Sequence, residues 1–275
     1  MSRLFDRFEK GESMLGTLLL THGYEWVEIA GEVGLDFICV DMMFPSIDWD
    51  TAGDMVRAAG RSGITPMLRL QSYPWGGRRD ERIVADVSKA LGIGAEGVVV
   101  SLDSPEEIEA VVALAGDPHR RVHVYTNYEV PGGIEGLRAL EERLAQRTLI
   151  MPLIESVGAA KRIDEILAVK GLKAIFLGLG DLSRHGVAGV PGQLEHPELK
   201  AFISRVAAKA KSRGVAVFTI AGRQETPEKL SDRVRWLHEA GVTGIFLPGF
   251  AFLIQRYYMN ALPEVRRIVG GAPWS

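Results

Sequence analysis

The sequence predicts a (β/α)8 TIM barrel in the α/β class, one domain spanning residues 1–275, and three observations predict it. Short apolar runs alternate eight times with longer amphipathic stretches. Each pair occupies about thirty residues, the size of a strand and its return helix. The runs are continuously apolar, as parallel strands buried on both faces are, instead of alternating like half-exposed ones.

In chain order the first unit is LGTLLLT (15–21) with YEWVEIAGEVG, and the second is FICVD (37–41) with WDTAGDMVRAAGRSG. The third is TPMLRL (65–70) with DERIVADVSKALGIG, and the fourth GVVVS (97–101) with SPEEIEAVVALAG. The fifth is LIMPLIE (149–155) with SVGAAKRIDEILAVKG, and the sixth AIFLG (174–178), followed later by HPELKAFISRVAAKAKSRG. VAVFTI (215–220) with TPEKLSDRVRWLHEAG and GIFLPG (244–249) with AFLIQRYYMNAL complete the set. Gly34, Gly63, Gly94, Gly116, Gly171, Gly214 and Gly241 each stand shortly before a strand, where a helix stop belongs. No GxGxxG follows the first strand, so the dinucleotide-binding open sheet has little support. A ninth strand-like run, Arg121 to Asn127, is either an extra strand at the barrel mouth or an irregular segment. The last stretch, about 250–275, reads as a terminal helical segment with aromatic and apolar residues, packed on its own barrel or on a neighbour.

Charge and composition exclude several function classes. With 47% hydrophobic residues, 24% charged and a formal charge of −3, the chain has the apolar content of a full core and no basic footprint for nucleic acid or membrane. The one cysteine, Cys39, lies inside an apolar run and forms no internal disulfide, which suits a reducing compartment. MSRLFDRFEKGESMLG lacks the apolar core of a signal peptide, and no run reaches membrane-span length. The expectation is a cytoplasmic enzyme with a small-molecule partner.

Barrel chemistry sits at the carboxyl ends of the strands. Those ends carry Thr21 and His22, Asp41, Arg69 and Gln71, Ser101, Glu155, Asp181 with its preceding glycines, and Thr219. Glu155 and Asp181 end two consecutive strands, and neighbouring parallel strands are about 4.8 Å apart, so the two acids can share one hard cation. Each also stands where an acid caps the next helix, a reading that spacing alone leaves open.

Fragments along most of the chain resemble the HpcH/HpaI family of metal-dependent 2-oxo-acid aldolases, which includes 4-hydroxy-2-oxoheptanedioate aldolase, 2-dehydro-3-deoxyglucarate aldolase and macrophomate synthase. They are Gly16 with Glu28, VGLDFICVDMMF, TPMLRL, PLIE, GLGDLS and GQLEHPEL, in the family's order. The resemblance implies that Glu155 and Asp181 hold a divalent metal, Mg²⁺ before Mn²⁺ or Co²⁺. It implies that Arg69 neutralises the 2-oxo oxygen as a pyruvate enolate forms, and that the backbone of Gly178, Leu179, Gly180 and Asp181 holds the substrate carboxylate. That agrees with the chemistry, because a guanidinium stays protonated throughout. Asp41 is expected to orient a water or a metal-bound solvent, Thr219 to contact substrate, and the chain to form a homo-oligomer, a hexamer or trimer of dimers.

Two departures stand out. Where the family has a histidine after the second strand this chain has Phe44, and where it has an aspartate before the fourth strand this chain has Gly92. In the family these residues form a proton relay across a subunit boundary, and phenylalanine cannot carry a proton. His22 is the candidate replacement base, with His185 behind it, while His196 caps or packs at a helix start and His119, His123 and His238 are structural or on the surface. The chain is also longer than the family between Ser72 and Arg82, where Trp75, Arg78 and Arg79 form either a lid over an acidic or aromatic substrate or a solubilising turn. No strand ends in lysine, and Lys173 begins one, which disfavours a Schiff-base aldolase. The expected activity is metal-dependent aldol chemistry or oxaloacetate-type decarboxylation of a 2-oxo acid. The alternative is a barrel that binds metal and a small acid without turnover.

Overall fold

A computed structural model describes residues 3–43, 47–71, 79–116, 133–185, 193–223 and 226–269. Eight parallel strands follow one another around a closed barrel. They are β1 (Met14–Leu19), β2 (Phe37–Asp41), β3 (Thr65–Arg69), β4 (Gly97–Ser101), β5 (Leu149–Ile154), β6 (Ala174–Leu177), β7 (Ala216–Ile220) and β8 (Gly244–Leu247). The pair β1 with β8, in register from Met14↔Gly244 to Thr17↔Leu247, closes the ring.

The continuous hydrophobicity of the runs resolves into two cores. Phe37, Cys39, Met67, Val99, Met151, Leu153, Phe176, Phe218 and Phe246 point inward and fill the barrel. Their alternates, among them Ile38, Val40, Leu68, Val100, Ile154, Leu177 and Val217, point outward to the helices. The interior is a packed aromatic plug: Phe246 meets Phe37 and Phe176 edge to face, each with ring centroids 4.8 Å apart. Glycine makes room for it, since a Cβ at Gly244 would collide with the Phe218 ring and one at Gly16 with Phe37. The plug is the floor beneath the mouth.

Around the barrel lie α2 (Tyr24–Glu32), α3 (Trp49–Ser62), α4 (Arg79–Gly92), α5 (Pro105–Val112), α6 (Gly133–Gln146), α7 (Val157–Lys161), α8 (Ile163–Ile166), α9 (Leu179–His185), α10 (Pro197–Ser212), α11 (Pro227–Glu239) and α12 (Phe250–Val269). Gly63 ends α3 in the left-handed conformation at φ 63°, whereas Gly116 closes a 3-10 turn (Ala113–Gly116). The stretch after β5 folds as two short helices broken at Arg162, not as one. Three helices go beyond the sequence reading: α6 and α9, and an N-terminal α1 (Arg3–Glu9). Leu4 and Phe5 of α1 are buried with the inner core, and Arg7 of the same helix pairs with Asp36 at 2.8 Å. α1 thereby closes the amino-terminal end of the barrel.

Candidate active site

The inward parity of each strand decides which end residue faces the mouth. Counting two from Cys39, Met67, Val99, Leu153 and Phe176 turns Asp41, Arg69, Ser101, Glu155 and Gly178 inward. Counting two from Phe218 turns Ile220 inward instead of Thr219. Thr219 therefore lies on the helix side of the sheet, fully buried, its hydroxyl donating to the Leu177 carbonyl at 2.8 Å. It does not meet a substrate in the mouth, as a strand-end position alone had suggested.

Asp41 and Arg69 are register partners on β2 and β3. Asp41 is 1% exposed; its Oδ1 accepts the Met43 amide at 2.9 Å and its Oδ2 takes Arg69 Nη1 at 3.2 Å. Its direct contact is thus the guanidinium, which it holds over the mouth. Cys39 sits one inward position below. Burial, and then the Asp41 charge, push its thiol far above the ordinary range, against a smaller opposing effect of Arg69.

On the other side of the mouth, Ser101 Oγ donates to Glu155 Oε1 at 2.6 Å. Burial raises the Glu155 pKa, the Ser101 bond and the Arg69 charge oppose this, and the charges of Asp181 and Asp103 add to it. Glu155 therefore lies in the field of both Arg69 and Asp181. It also rests against Gly178, where a Cβ would stand 2.8 Å from Glu155 Cβ and 3.4 Å from Oε2. Glu155 is released from capping, because Ser156 caps α7, accepting the Ala159 amide at 3.0 Å and donating to Asp103 at 2.7 Å. Asp181 lies in the first turn of α9, half-exposed, with Arg184 Nη1 at 3.9 Å.

Glu155 and Asp181 are the two carboxylates at this end of the barrel that could hold a cation. Among the described residues no group of three or more His, Cys, Asp or Glu side chains is placed to hold one. Two carboxylates with water and substrate oxygens is a set that Mg²⁺ accepts, and a positive ion there would offset the Asp181 charge that acts on Glu155.

The backbone near Gly178 is only partly open. Its amide donates to the Ile154 carbonyl at 2.9 Å, which leaves Leu179 and Gly180 as first-turn amides with no acceptor inside α9. His22 is exposed in the loop after β1, without a hydrogen-bond partner among the described residues. Gln71 is likewise exposed. His196 caps α10 by accepting the Glu198 amide, and His238 pairs with Ser13 at 2.8 Å at the amino-terminal end of the barrel. Lys173 donates to the Gln146 carbonyl. Gly92 is the last residue of α4, and Arg79 its first. Phe44, Trp75, Arg78, His119, His123 and the run Arg121 to Asn127 lie outside the described residues.

A cavity of about 270 Å³ opens beside Asp41 and Arg69, toward β1, β7 and β8. Leu18, Leu20, Thr21, Ile220, Arg223, Phe250 and Phe252 are among its walls. Of this half of the mouth, sequence reading had only Thr21, as a strand-end residue, and missed the apolar walls.

The family model described as HpcH/HpaI aldolase/citrate lyase matches residues 47–247. The chain is 26% identical over 215 residues to a 2-dehydro-3,6-dideoxy-6-sulfogluconate aldolase of Pseudomonas putida, covering 78% of this chain and 79% of that one. It is 25% identical over 206 residues to a hydroxypyruvate/pyruvate aldolase of Sagittula stellata, covering 74% and 77%. Its fold superposes on the crystal structure of an HpcH/HpaI aldolase from Desulfitobacterium hafniense with a TM-score of 0.78 and 25% identity, over 99% of this chain and 100% of the other.

Proposed function

This chain belongs to the HpcH/HpaI aldolase/citrate lyase family, aldolases and lyases of pyruvate-type substrates, and we propose that it is a divalent-metal-dependent carbon–carbon lyase acting on a 2-oxo acid through its enolate. The observation that carries the reading is that Asp41, Arg69, Ser101 and Glu155 turn inward together at the carboxyl ends of four consecutive strands, Arg69 bonded to Asp41 and Glu155 to Ser101, with Asp181 in the helix turn after the next strand. Glu155 and Asp181 would hold a divalent cation, Mg²⁺ with Mn²⁺ or Co²⁺ as alternatives, which would supply Lewis-acid polarisation of the 2-oxo carbonyl.

The remaining work falls to the chain's own groups. Arg69 faces the oxygen on which negative charge grows, and a donor so placed is worth about 100- to 1,000-fold in rate. Asp41 fixes the guanidinium and Ser101 fixes Glu155, so neither has to be ordered during the reaction. The amides of Leu179 and Gly180 receive the substrate carboxylate at the start of α9. His22 is the candidate proton carrier at the rim. With Phe44 and Gly92 in place of a relay pair, decarboxylation of an oxaloacetate-type acid is favoured over aldol chemistry, since it needs no base to remove a carbon-bound proton.

For assembly we propose a homo-oligomer, a hexamer or trimer of dimers. The 20-residue α12 has no buried residue, and Tyr257, Ile268 and Val269 are 68%, 73% and 74% exposed, an apolar surface suited to a second copy. No helix among the described residues is long and apolar enough to cross a membrane, and we infer a cytoplasmic location from the composition.

The test is oxaloacetate decarboxylation with Mg²⁺, Mn²⁺ or Co²⁺ and after chelation. We expect metal-dependent turnover in the wild type and a loss of about 100-fold or more in Glu155→Gln. Binding of metal and oxaloacetate without turnover would instead support a non-catalytic barrel.

A further inference from the structure

The mouth has a charged half, from Asp41 at the end of β2 to Asp181 after β6, and an apolar half toward β7, β8 and β1 whose walls the proposed chemistry does not use. We propose that the apolar half is the subsite for the second reactant, a carbonyl compound with an aryl-sized apolar body and a terminal carboxylate bound by Arg223. Calling the occupant a reactant rests on the lyase reading, in which the enolate left by decarboxylation adds to a carbonyl carbon; its shape and charge do not.

Four observations converge on it. The cavity of about 270 Å³ contains Asp41 and Arg69 in its wall, so an occupant there is next to the reacting centre. A cavity of about 150 Å³ holds benzene, so this one takes an aromatic ring with a short substituent. Leu18, Leu20, Ile220, Phe250 and Phe252 supply apolar wall, and Thr21 is the one hydroxyl side chain among the described lining residues. Among the lining side chains a polyhydroxylated sugar chain would find partners only at Thr21, Asp41, Arg69 and Arg223, and would lose its water against the rest of the wall.

The fourth observation is the charge. Arg223 follows β7, which lies four strands from β3 in the closed ring, so Arg223 and Arg69 come from opposite staves and both line this cavity. Arg223 has no carboxylate partner among the described residues, and its guanidinium carbon lies 5.5 Å from the centre of the Phe252 ring. An aromatic face holds a guanidinium at one edge while leaving its N–H groups to bond an anion. The ligand this arrangement fits is apolar in the middle and anionic at the end away from Arg69.

The test is calorimetric binding of 4-formylbenzoate, benzaldehyde and glyceraldehyde to the wild type and to Arg223→Gln. We expect 4-formylbenzoate to bind about tenfold more tightly than benzaldehyde, glyceraldehyde to bind more weakly than either, and the tenfold preference to vanish in the variant. Equal affinity for the charged and neutral aldehydes in the wild type, an unchanged preference in Arg223→Gln, or a preference for glyceraldehyde each overturns the subsite. Oxaloacetate decarboxylation by the wild type without any aldehyde reports on the lyase reading separately. Discrimination without decarboxylation keeps the pocket and removes the lyase; decarboxylation without discrimination does the reverse.

Discussion

Replacing Gly178 with alanine tests the metal end of the site with a single carbon. The new Cβ would stand 2.8 Å from Glu155 Cβ and 3.1 Å from Leu153 Cδ1. Non-bonded carbons settle at about 3.5–4.0 Å, so something must move by roughly 1 Å. The strand cannot yield freely, because Leu153 is in register with Ser101 on one side and Phe176 on the other. Overpacking of this kind costs about 1–3 kcal/mol of stability. The movement available to Glu155 takes Oε1 away from Ser101, to which it is now bonded at 2.6 Å. Loss of a supporting bond to a metal-binding carboxylate weakens affinity by about 10- to 100-fold. Denaturant unfolding reads the first quantity and calorimetric Mg²⁺ or Mn²⁺ titration the second. Gly180→Ala is the comparison: its Cβ would meet nothing within 4 Å, and in α9 it should gain about 0.5–1 kcal/mol. A Gly178→Ala protein that loses stability yet binds the metal as tightly as the wild type would show that the Glu155 carboxylate is not a ligand.

Asp41→Asn keeps an acceptor for the Met43 amide but removes the charge opposite Arg69; turnover should fall about 10- to 100-fold with a stability loss of about 1–2 kcal/mol. Steady-state kinetics showing unchanged kcat would refute the positioning role. Cys39 is fully buried and its thiol is held neutral by burial and by Asp41. The unfolded thiol ionises from about pH 8.5 while the folded one does not, so its contribution to stability is complete below that pH and declines as pH rises above it. Unfolding free energies from pH 8 to 10 should show a decline that Cys39→Ala lacks, and a thiol reagent should label only unfolded protein; stoichiometric labelling of the native protein would contradict this.

The barrel was legible because eight apolar runs buried on both faces leave a strong pattern, and helix stops such as Gly63 and Gly171 mark where each return ends. Asp41, Arg69, Ser101 and Glu155 were legible as polar residues closing such runs, and the structure turns all four into the mouth. The helices missed, α1, α6 and α9, are those outside the strict alternation of strand and return helix. Leu4 and Phe5 of α1 do their packing under the barrel, where no strand period announces them.

Thr219 shows why the rest was hidden. A strand with one face in water alternates polar with apolar residues, and that alternation tells which way each side chain points. In a barrel both faces are dry, so Val217, Phe218, Thr219 and Ile220 look alike in sequence although two face the helices and two face the plug or the mouth. A polar residue at a strand end is therefore ambiguous until the plug beneath it is known. Here Phe218 fixes the parity: it packs against Phe37 and Phe246, so Ile220 must line the mouth and Thr219 must serve the sheet. The same ambiguity concealed the apolar half of the site, whose wall residues Leu18 and Ile220 are indistinguishable in composition from the core that supports them.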